Sequence, residues 1–500
     1  MRTLELWTDS FHEGEWFMHN IKKLCGASSC HYIHNFIPSY TVELDPANNI
    51  EMIVYGSYKS WENIPSKINT LLEMGKPDII LYERESDEII LAIEETAAVP
   101  TGNQALQRCE RIFGSAYLKI PFIYLLPEYG LHKDGNVRRA SIWPTLLGLK
   151  LSLQFQVPSI SLLYSDIDNP EDYSKGTGLD MLFQYTYYLI KQHLGVMDKS
   201  EYQKLTALTT DIITEMCAFV ISQFDKIIRF FPDLLRFKKK AFAILLAHRI
   251  LDKESKDVDI TIDKFLLWPL TKDRGIPAEF KDVSLGAINN NDFLLAIDDC
   301  VRKNKGYVLS QGVGTRPQSK KDISGWFKIQ SAFSKQLNLP YKKPSADLKK
   351  TDKGNYHITT SKNITYLIDA LEDIDNAYAA AFPQHGLSLN KLLINTAALP
   401  VFLYICNSLK PRRMFGDPFT GQFAAFANIF CYSGTYRKIR NAIIYLPYQS
   451  AGCFYDKDKK LTRNKGTAIY SLLADIVICN DGYVVSFQDK GKLYGKENTL

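Results

Sequence analysis

Residues 76–96 read KPDIILYERESDEIILAIEET, two apolar runs joined by a charged turn. The runs DIILY and EIILAIEET are rich in isoleucine and leucine, and ERESD between them is typical of an exposed turn, so the pattern predicts a β-hairpin. Asp78 begins the first strand, and Glu94 stands near the end of the second. Antiparallel pairing brings the start of one strand beside the end of the next, so we expect Asp78 and Glu94 to lie side by side.

The alternation of side chains along the second strand indicates which groups meet. Residues two apart share a face, so Glu94 and Thr96 are expected on one face and Glu95 on the other. Two adjacent carboxylates repel each other unless a cation holds them, and Mg²⁺ prefers oxygen ligands of this kind. The alternative is a solvated edge hairpin whose acids resist aggregation. Both runs are more apolar than an exposed hairpin requires, which favours a metal site.

The segments around the hairpin predict a mixed α/β fold. The order expected from residue 38 to about residue 166 is helix, strand, strand, helix, strand, with additions. The helices are predicted within SWENIPSKINTLLEM (60–74) and NQALQRCERIFGSAY (103–117), and IPFIYLLP (120–127) predicts a buried strand.

The arrangement PDIIL…AIEET, after a helix and before a helix and a strand, resembles the PD-(D/E)XK nuclease superfamily, which includes many restriction endonucleases. The resemblance covers roughly residues 38–126. It implies a restriction-endonuclease-like αβββαβ core, with Asp78 and Glu94 as catalytic acids that hold Mg²⁺. An ion of this kind lowers the pKa of a bound water and polarises a phosphodiester.

One residue departs from the pattern of the superfamily. Thr96 stands where the superfamily has a lysine, which is expected to orient the attacking water and to stabilise developing charge. Threonine carries no positive charge, and losing one such group typically costs about 3–4 kcal/mol in transition-state stabilisation. Another residue must therefore replace the lysine, or the site is slow or inactive.

The helix after the hairpin offers replacements. Gln104, Arg108 and Arg111 follow one another at i, i+4 and i+7 along one face. We expect Gln104 to bind the water or a phosphate and Arg108 to supply the charge. Gln104 alternatively belongs to a capping box that begins at Thr101. Lys119, in the next strand, is a lesser candidate.

The length of the chain predicts several domains. Five hundred residues exceed what one hydrophobic core usually supports. We expect a catalytic domain in residues 1–166, a helical region in 167–300, a basic linker or DNA-contacting segment in 301–354 and a mixed α/β domain in 355–500. The last domain is a candidate for DNA recognition.

The basic segment is a candidate nucleic-acid contact. Residues 301–350 hold twelve lysines and arginines against Asp322 and Asp347, with aromatic residues between them. Such a composition suits a phosphate backbone, although a solvated linker has the same composition. The residues expected to bind nucleic acid are Arg316, Lys320, Lys321, Lys328, Lys342 and Lys343.

A second hairpin is predicted near the end of the chain, in ADIVICNDGYVVSFQDKGK (474–492). Asp475 begins one strand, and Gln488 and Lys490 share a face on the next, as in some members of the superfamily. A chance hairpin with a charged end is the simpler interpretation. The alternative is a degenerate second core that earlier elements complete.

The cysteine content and the apolar segments indicate the cellular compartment in which the protein is expected. Nine cysteines, an odd number scattered through the chain, indicate reduced thiols in a cytoplasmic protein. Cys25, Cys30, His31 and His34 fit no common structural zinc spacing, so buried thiols and ordinary histidines are favoured over a zinc site. The N-terminus predicts no secretory signal. The apolar stretch 392–409 predicts a core helix broken at Pro400 rather than a membrane span.

The function expected from these features is that of a Mg²⁺-dependent endonuclease acting on double-stranded DNA, most similar to a type II restriction enzyme. Cutting both strands requires two active sites, so a homodimer, or a monomer that pairs on DNA, is expected. A non-catalytic DNA-binding protein with a degenerate nuclease fold and an RNA-processing nuclease are the alternatives.

Overall fold

The computed structural model describes most of the N-terminal half and separate segments of the C-terminal half. The chain divides into two compact units; the described residues up to Ser222 lie in the first unit and those from Tyr307 onward in the second. The described residues are 1–26, 28–34, 36–96, 103–131, 135–164, 178–222, 307–311, 349–350, 356–357, 363–368, 371–393, 401–406, 417–433, 437–438, 441–446, 449–462 and 464–495.

Ten strands lie in the described residues of the first unit. Eight of them form one mixed sheet in the order β10-β7-β6-β5-β1-β4-β3-β2, and β8 and β9 form a separate ribbon. The strands are β1 (Arg2–Thr8), β2 (Ser28–Ile33), β3 (Ile37–Asp45), β4 (Asn48–Tyr55), β5 (Ile79–Glu83), β6 (Glu88–Glu95), β7 (Phe122–Pro127), β8 (Tyr129–Leu131), β9 (Val137–Arg139) and β10 (Ser159–Tyr164).

Seven α-helices and two short 3₁₀ helices of the first unit are described. The α-helices are α1 (Phe11–Ile21), α2 (Ser66–Met74), α3 (Asn103–Leu106), α4 (Cys109–Tyr117), α5 (Ile142–Phe155), α6 (Gly178–Leu194) and α7 (Lys199–Ser222). The 3₁₀ helices are Lys22–Leu24 and Tyr58–Ser60.

The strand directions bring several chain segments to one edge of the sheet. β5 is antiparallel to β1 and β6, whereas β1, β4, β6, β7 and β10 all run in the same direction. The carboxyl ends of these five strands therefore lie at one edge, together with the start of β5. We call this edge the C-terminal edge. Ligand sites in α/β sheets are commonly formed at such an edge.

The expected hairpin is confirmed as β5 and β6, with Ile79 paired to Ile93. The helix expected over 60–74 begins only at Ser66, directly after Pro65, which lacks the N–H that a helix interior requires. The helix expected over 103–117 is divided into α3 and α4. Leu106, Cys109 and Phe113 of this segment are fully buried.

The second unit has a seven-stranded mixed sheet in the order β11-β14-β15-β18-β19-β20-β21. Its strands, with two small ribbons, are β11 (Tyr307–Gln311), β12 (Lys349–Lys350), β13 (Tyr356–His357), β14 (Asn363–Ile368), β15 (Val401–Ile405), β16 (Tyr432–Ser433), β17 (Arg437–Lys438), β18 (Asn441–Leu446), β19 (Ile476–Cys479), β20 (Val484–Ser486) and β21 (Lys492–Tyr494). Its described helices are α8 (Leu371–Ala381), α9 (Leu389–Leu392), α10 (Asp417–Cys431), α11 (Lys465–Leu473) and the 3₁₀ helices Pro383–His385 and Ala451–Cys453.

Five strands of the second unit repeat the order and direction of five strands of the first. β11, β14, β15, β18 and β19 are neighbours in that order, as are β1, β5, β6, β7 and β10. In both series the first two pairings are antiparallel and the last two are parallel. Helices lie between the parallel strands in both: α3–α4 and α5 in the first unit, α10 and α11 in the second. The chain is therefore mixed α/β throughout its described part, as the sequence predicted.

Two sequence expectations need correction. The boundary expected at residue 166 does not divide the compact units, because α6 packs on β6, β7 and β10, and α7 packs on β10. The core helix expected across Pro400 is wrong: Val401–Ile405 form β15, a buried strand between β14 and β18. In the described part of the chain, no helix has the length and apolar character needed to cross a membrane.

Candidate functional site

The hairpin brings Asp78 and Glu94 together at the C-terminal edge of the first sheet. Ile79 pairs with Ile93; Asp78 directly precedes Ile79, and Glu94 directly follows Ile93. The Glu95 backbone N–H donates to Asp78 Oδ2 at 2.8 Å, which fixes the aspartate against the end of β6. The Asp9 backbone N–H donates to the Asp78 carbonyl at 2.9 Å, so the end of β1 holds the same residue. The Glu94 side chain is fully buried.

Two arginines approach this pair from the crossover between β6 and β7. Arg111 Nη1 hydrogen-bonds Glu94 Oε2 and lies 3.5 Å from Asp78 Oδ1. Arg108 Nε lies 3.0 Å from Glu94 Oε1. Arg108 immediately precedes α4 and Arg111 lies in its first turn. Two guanidinium groups thus contact Glu94, and that of Arg111 also approaches Asp78.

Burial dominates the ionisation of the two acids. It raises the pKa of Glu94, and Arg111 opposes the shift while Asp78 adds to it. Burial also raises the pKa of Asp78, against the attraction of Arg111 and the hydrogen bond from the Glu95 N–H. Removing a carboxylate from water disfavours its charged form, and a neighbouring cation favours it. The site therefore favours positive charge next to these oxygens.

Two further acids lie on the other side of β6. Glu94 faces α4, and the adjacent Glu95 points to the opposite face of the sheet, where Glu13 of α1 lies. Burial and the charges of Asp78 and Glu13 raise the pKa of Glu95 to about 7. Glu13 Oε2 and Glu95 Oε1 are buried and have no hydrogen-bond partner among the described residues. We call Glu13, Asp78, Glu94 and Glu95 the carboxylate cluster.

Tyrosines enclose the carboxylate cluster. Tyr58 is fully buried and its hydroxyl donates to the Pro77 carbonyl at 3.1 Å, directly before Asp78. Tyr124 pairs with Glu94 across β6 and β7 and is completely buried. The Tyr164 hydroxyl donates to the Thr96 carbonyl at 3.0 Å. These tyrosines help to shield the end of β6 from water.

The remaining residues predicted for the site have different outcomes. Thr96 lies beyond the last residue of β6 with its N–H bonded to Leu125, and it is buried. Gln104 lies in α3, but its side chain and Thr101 fall outside the described residues. Lys119 is wrong as a site candidate: it follows the far end of α4, at the opposite edge of the sheet, and its Nζ donates to the Phe155 carbonyl.

The second predicted hairpin exists, and the turn that follows it brings Gln488 to Asp475. β19 and β20 are antiparallel, yet β20 ends at Ser486, so Gln488 and Lys490 lie in the turn to β21 rather than on a strand. The Gln488 amide donates to Asp475 Oδ1, the Ala442 N–H donates to Asp475 Oδ2 at 2.7 Å, and Lys490 is exposed. Asp475 thus ties β18 to the turn, which is a structural role.

The nucleic-acid contacts expected from the sequence cannot be located on the fold. These residues, Arg316, Lys320, Lys321, Lys328, Lys342 and Lys343, all lie outside the described residues.

Cys25 and Cys30 are free thiols, and Cys30 is exposed on β2. Within the described ranges, no group of three or more His, Cys, Asp or Glu side chains is arranged to ligate a metal.

The sequence analysis placed Arg111 on one helix face with Gln104 and Arg108 but gave it no role in the site. It gave no role to Glu13 or Glu95 either. Glu95 was correctly assigned to the face of β6 opposite Glu94. It nevertheless contacts the site, because its backbone N–H donates to Asp78, which directly precedes β5. Glu13 depends on β1 pairing with β5, and no local pattern reveals that pairing. No protein-family model, no curated protein and no solved structure matches this chain.

Proposed function

We propose that this protein is a Mg²⁺-dependent endonuclease of double-stranded DNA, similar to type II restriction endonucleases of the PD-(D/E)XK superfamily. One observation carries the proposal. A β-hairpin presents Asp78 and Glu94 to the same place at the C-terminal edge of a mixed sheet, and two arginines lie beside them. Paired carboxylates next to fixed positive charge suit the binding and cleavage of a phosphodiester.

The residues present fit a divalent cation. Burial raises the pKa of Asp78 and of Glu94 in spite of Arg108 and Arg111, so a bound cation would stabilise both carboxylates. Glu94 Oε1 is buried and lies 3.0 Å from Arg108 Nε, but the two atoms do not form a hydrogen bond. Asp78 and Glu94 would hold Mg²⁺, which prefers carboxylate oxygens and retains several waters. When bound, the ion supplies a more acidic water and polarises the phosphodiester.

The two arginines are suited to different roles. The Arg108 side chain is 22% exposed, so it can reach a phosphate of the substrate while it contacts Glu94. The Arg111 side chain is only 7% exposed and touches both acids, so it positions the carboxylates. Arg108 is therefore the best replacement for the positive charge that Thr96 lacks. Asp78 is positioned by the Glu95 N–H and Glu94 by Arg111.

The first unit is proposed to hold the one active centre of the described fold. The Thr96 N–H bonds the Leu125 carbonyl, and the Cys406 N–H makes the same bond to the Tyr445 carbonyl. This equivalence places Tyr404 where the first unit has Glu94. The pairing of Thr365 with Tyr404 places Thr365 where it has Asp78. Without that pair of acids in the second unit, cutting both DNA strands requires two chains, so we expect a homodimer on DNA.

One observation favours a non-catalytic DNA-binding protein instead. Arg111 contacts both Asp78 and Glu94, and a guanidinium can satisfy two buried carboxylates without any metal. In that case the acids stabilise the fold and the protein binds DNA without cutting it. The two functions differ in their response to Mg²⁺, which makes them separable in one assay.

The test is cleavage of plasmid DNA by the full chain with Mg²⁺, and with EDTA in its place. Discrete fragments support a site-specific endonuclease, whereas retarded but intact plasmid supports the binding protein. Asp78→Asn and Glu94→Gln should each abolish cleavage. Parallel incubation with structured and single-stranded RNA tests the RNA-processing alternative. Cleavage of RNA in preference to DNA would support that alternative.

The matched control is Glu5→Gln. Glu5 is another buried acid of the same sheet, and its carboxylate pairs with Arg84 at 2.5 Å. It lies outside the carboxylate cluster, so its loss should affect stability without removing cleavage by the folded protein. If Asp78→Asn and Glu94→Gln cut DNA as Glu5→Gln does, the proposed site is wrong.

A further inference from the structure

An exposed aromatic surface adjoins the carboxylate cluster. Phe11 is 43% exposed and Phe36 is 60% exposed, although both are large apolar side chains. Trp61 is partly exposed beside them. Contiguous exposed apolar surface on a protein commonly marks a binding site. We call Phe11, Phe36 and Trp61 the aromatic platform.

Contacts around Gly56 hold the platform together. The Trp61 indole N–H donates to the Gly56 carbonyl at 2.8 Å. The Phe11 ring lies against Gly56 so closely that a Cβ there would be 2.5 Å from the ring. The Phe36 ring is nearly parallel to Trp61, with an interplanar angle of 14° and ring centroids 6.2 Å apart. The edge of Trp61 is supported by Tyr55, at 5.2 Å and 88°.

The platform lies at the same edge of the sheet as the candidate site. Phe11 and Glu13 both lie in the first turn of α1, although at i and i+2 their side chains leave the helix on different faces. Gly56 directly follows β4, and Phe36 directly precedes β3, so both lie at the C-terminal edge. The 3₁₀ helix Tyr58–Ser60 connects the two sites, because Tyr58 bonds Pro77 next to Asp78 while Trp61 follows the helix. A strand that is bound at the cluster and runs along this edge would pass the aromatic rings.

We propose that the aromatic platform stacks on unpaired nucleobases of a nucleic-acid strand bound at the carboxylate cluster. The proposal rests on the proposed function for its choice of nucleic acid as the ligand, and it requires a base displaced from the duplex, because the faces of paired bases are covered by their neighbours. Aromatic side chains stack on every base, and fixed rings lose little entropy when they do so. Three rings suffice for one or two bases but form only a small part of the surface that a stable protein–protein interface requires. The occupant is therefore a base rather than a partner protein.

The experiment measures binding without cleavage. Full-length Asp78→Asn protein without Mg²⁺ is titrated with a fluorescent single-stranded oligonucleotide and with a duplex that contains a short unpaired segment. In this background Phe36→Ala should weaken binding of the unpaired strand by about 5- to 150-fold, the range expected for one lost stack. Phe36→Tyr keeps a ring and should bind normally, and Trp61→Phe should lose less affinity than Trp61→Leu.

The control variant is Tyr117→Leu. Tyr117 is an exposed aromatic residue at the far end of α4, away from the C-terminal edge, and its loss should leave oligonucleotide binding unchanged. Unchanged affinity in Phe36→Ala, or a change in oligomeric mass in place of a change in affinity, overturns the platform. If the chain cleaves DNA equally well with Phe36→Ala, the stacking proposal fails and the nuclease proposal stands. If binding depends on the platform but the chain never cleaves DNA, the nuclease proposal fails and the stacking proposal stands.

Discussion

Arg111 joins the two acids of the hairpin, because its Nη1 hydrogen-bonds Glu94 and lies 3.5 Å from Asp78 Oδ1. All three groups are largely buried, so each charge depends on the others for stabilisation. Removing one partner of a buried ion pair leaves an uncompensated charge, which typically costs about 3–5 kcal/mol. We expect Arg111→Leu to lower the free energy of unfolding by an amount in this range, measured by urea denaturation.

A double-mutant cycle tests whether the loss arises from this pairing. Because Glu94→Gln already removes the charge that Arg111 compensates, Arg111→Leu should cost clearly less in the Glu94→Gln background. Arg108→Leu is the comparison, since its guanidinium is more exposed and should contribute less to stability. Additive effects of Glu94→Gln and Arg111→Leu would contradict the coupling.

The raised pKa of Glu95 predicts how stability depends on pH. Burial and the charges of Asp78 and Glu13 raise this pKa from 4.5 to about 7. Between these values the folded chain binds more protons at Glu95 than the unfolded chain, so this group makes stability fall as the pH rises. We expect Glu95→Gln to remove part of the loss between pH 5 and pH 8, measured as the difference in unfolding free energy at the two values.

Asp45→Asn provides a control of opposite sign. Burial raises the pKa of Asp45, but hydrogen bonds from Lys191 and Asn48 outweigh it and lower the pKa overall. Asp45 therefore contributes stability above its unfolded pKa and loses it in acid, so its removal should cost more at pH 8 than at low pH. An unchanged pH slope in Glu95→Gln would show that Glu95 does not carry a raised pKa.

The hairpin was predictable because its information is local. Two apolar runs, a charged turn and period-two alternation specify the pairing of β5 with β6 and hence the contact between Asp78 and Glu94. The approach of Arg108 was also predictable from helical spacing. Glu13 was not, because its position depends on β1, which pairs with β5 about seventy residues later in the chain.

The errors lie where a short apolar run fits two structures. The run after Pro400 is as compatible with a buried helix as with a central strand, and only its pairing with β14 and β18 decides. For the same reason the shared topology of the two units was not predicted. β15 and β6 are both apolar strands, but they carry different polar side chains near their ends. Tyr404 hydrogen-bonds Gln422 of α10, whereas Glu94 of β6 binds Arg111 of α4.

The close crossing of α2 and α4 predicts an effect of a single methyl group. A Cβ on Gly75 would lie 2.8 Å from the Cα of Arg111 and 2.9 Å from its Cγ. The backbone of α4 would have to move, and Arg111 would move with it. We expect Gly75→Ala to lower the free energy of unfolding by about 1–3 kcal/mol, as overpacking typically does, and to reduce DNA cleavage.

Gly452→Ala is the matched control for this change. A Cβ at Gly452 has a single neighbour within 4 Å among the described residues, Ser450 Oγ at 3.9 Å, so the substitution needs no displacement. Its unfolding free energy and cleavage rate should remain close to those of the unmodified chain. Equal effects of the two substitutions would show that the helix crossing does not position Arg111.

Asp475 should matter for stability and not for cleavage. It is almost fully buried, and its carboxylate accepts the Ala442 N–H at 2.7 Å and the Gln488 amide. Asp475→Ala leaves a buried backbone N–H without its partner, which typically costs about 1–3 kcal/mol. Cleavage measured where the variant is still folded should be unchanged, and Lys490→Ala, at an exposed turn position, should change neither quantity. Loss of stability is the expected consequence of a structural role. The result that would contradict this role is loss of cleavage without loss of stability. Loss of cleavage in Asp475→Ala with an unchanged unfolding midpoint would place an active group in the second unit and would contradict a single active centre in each chain.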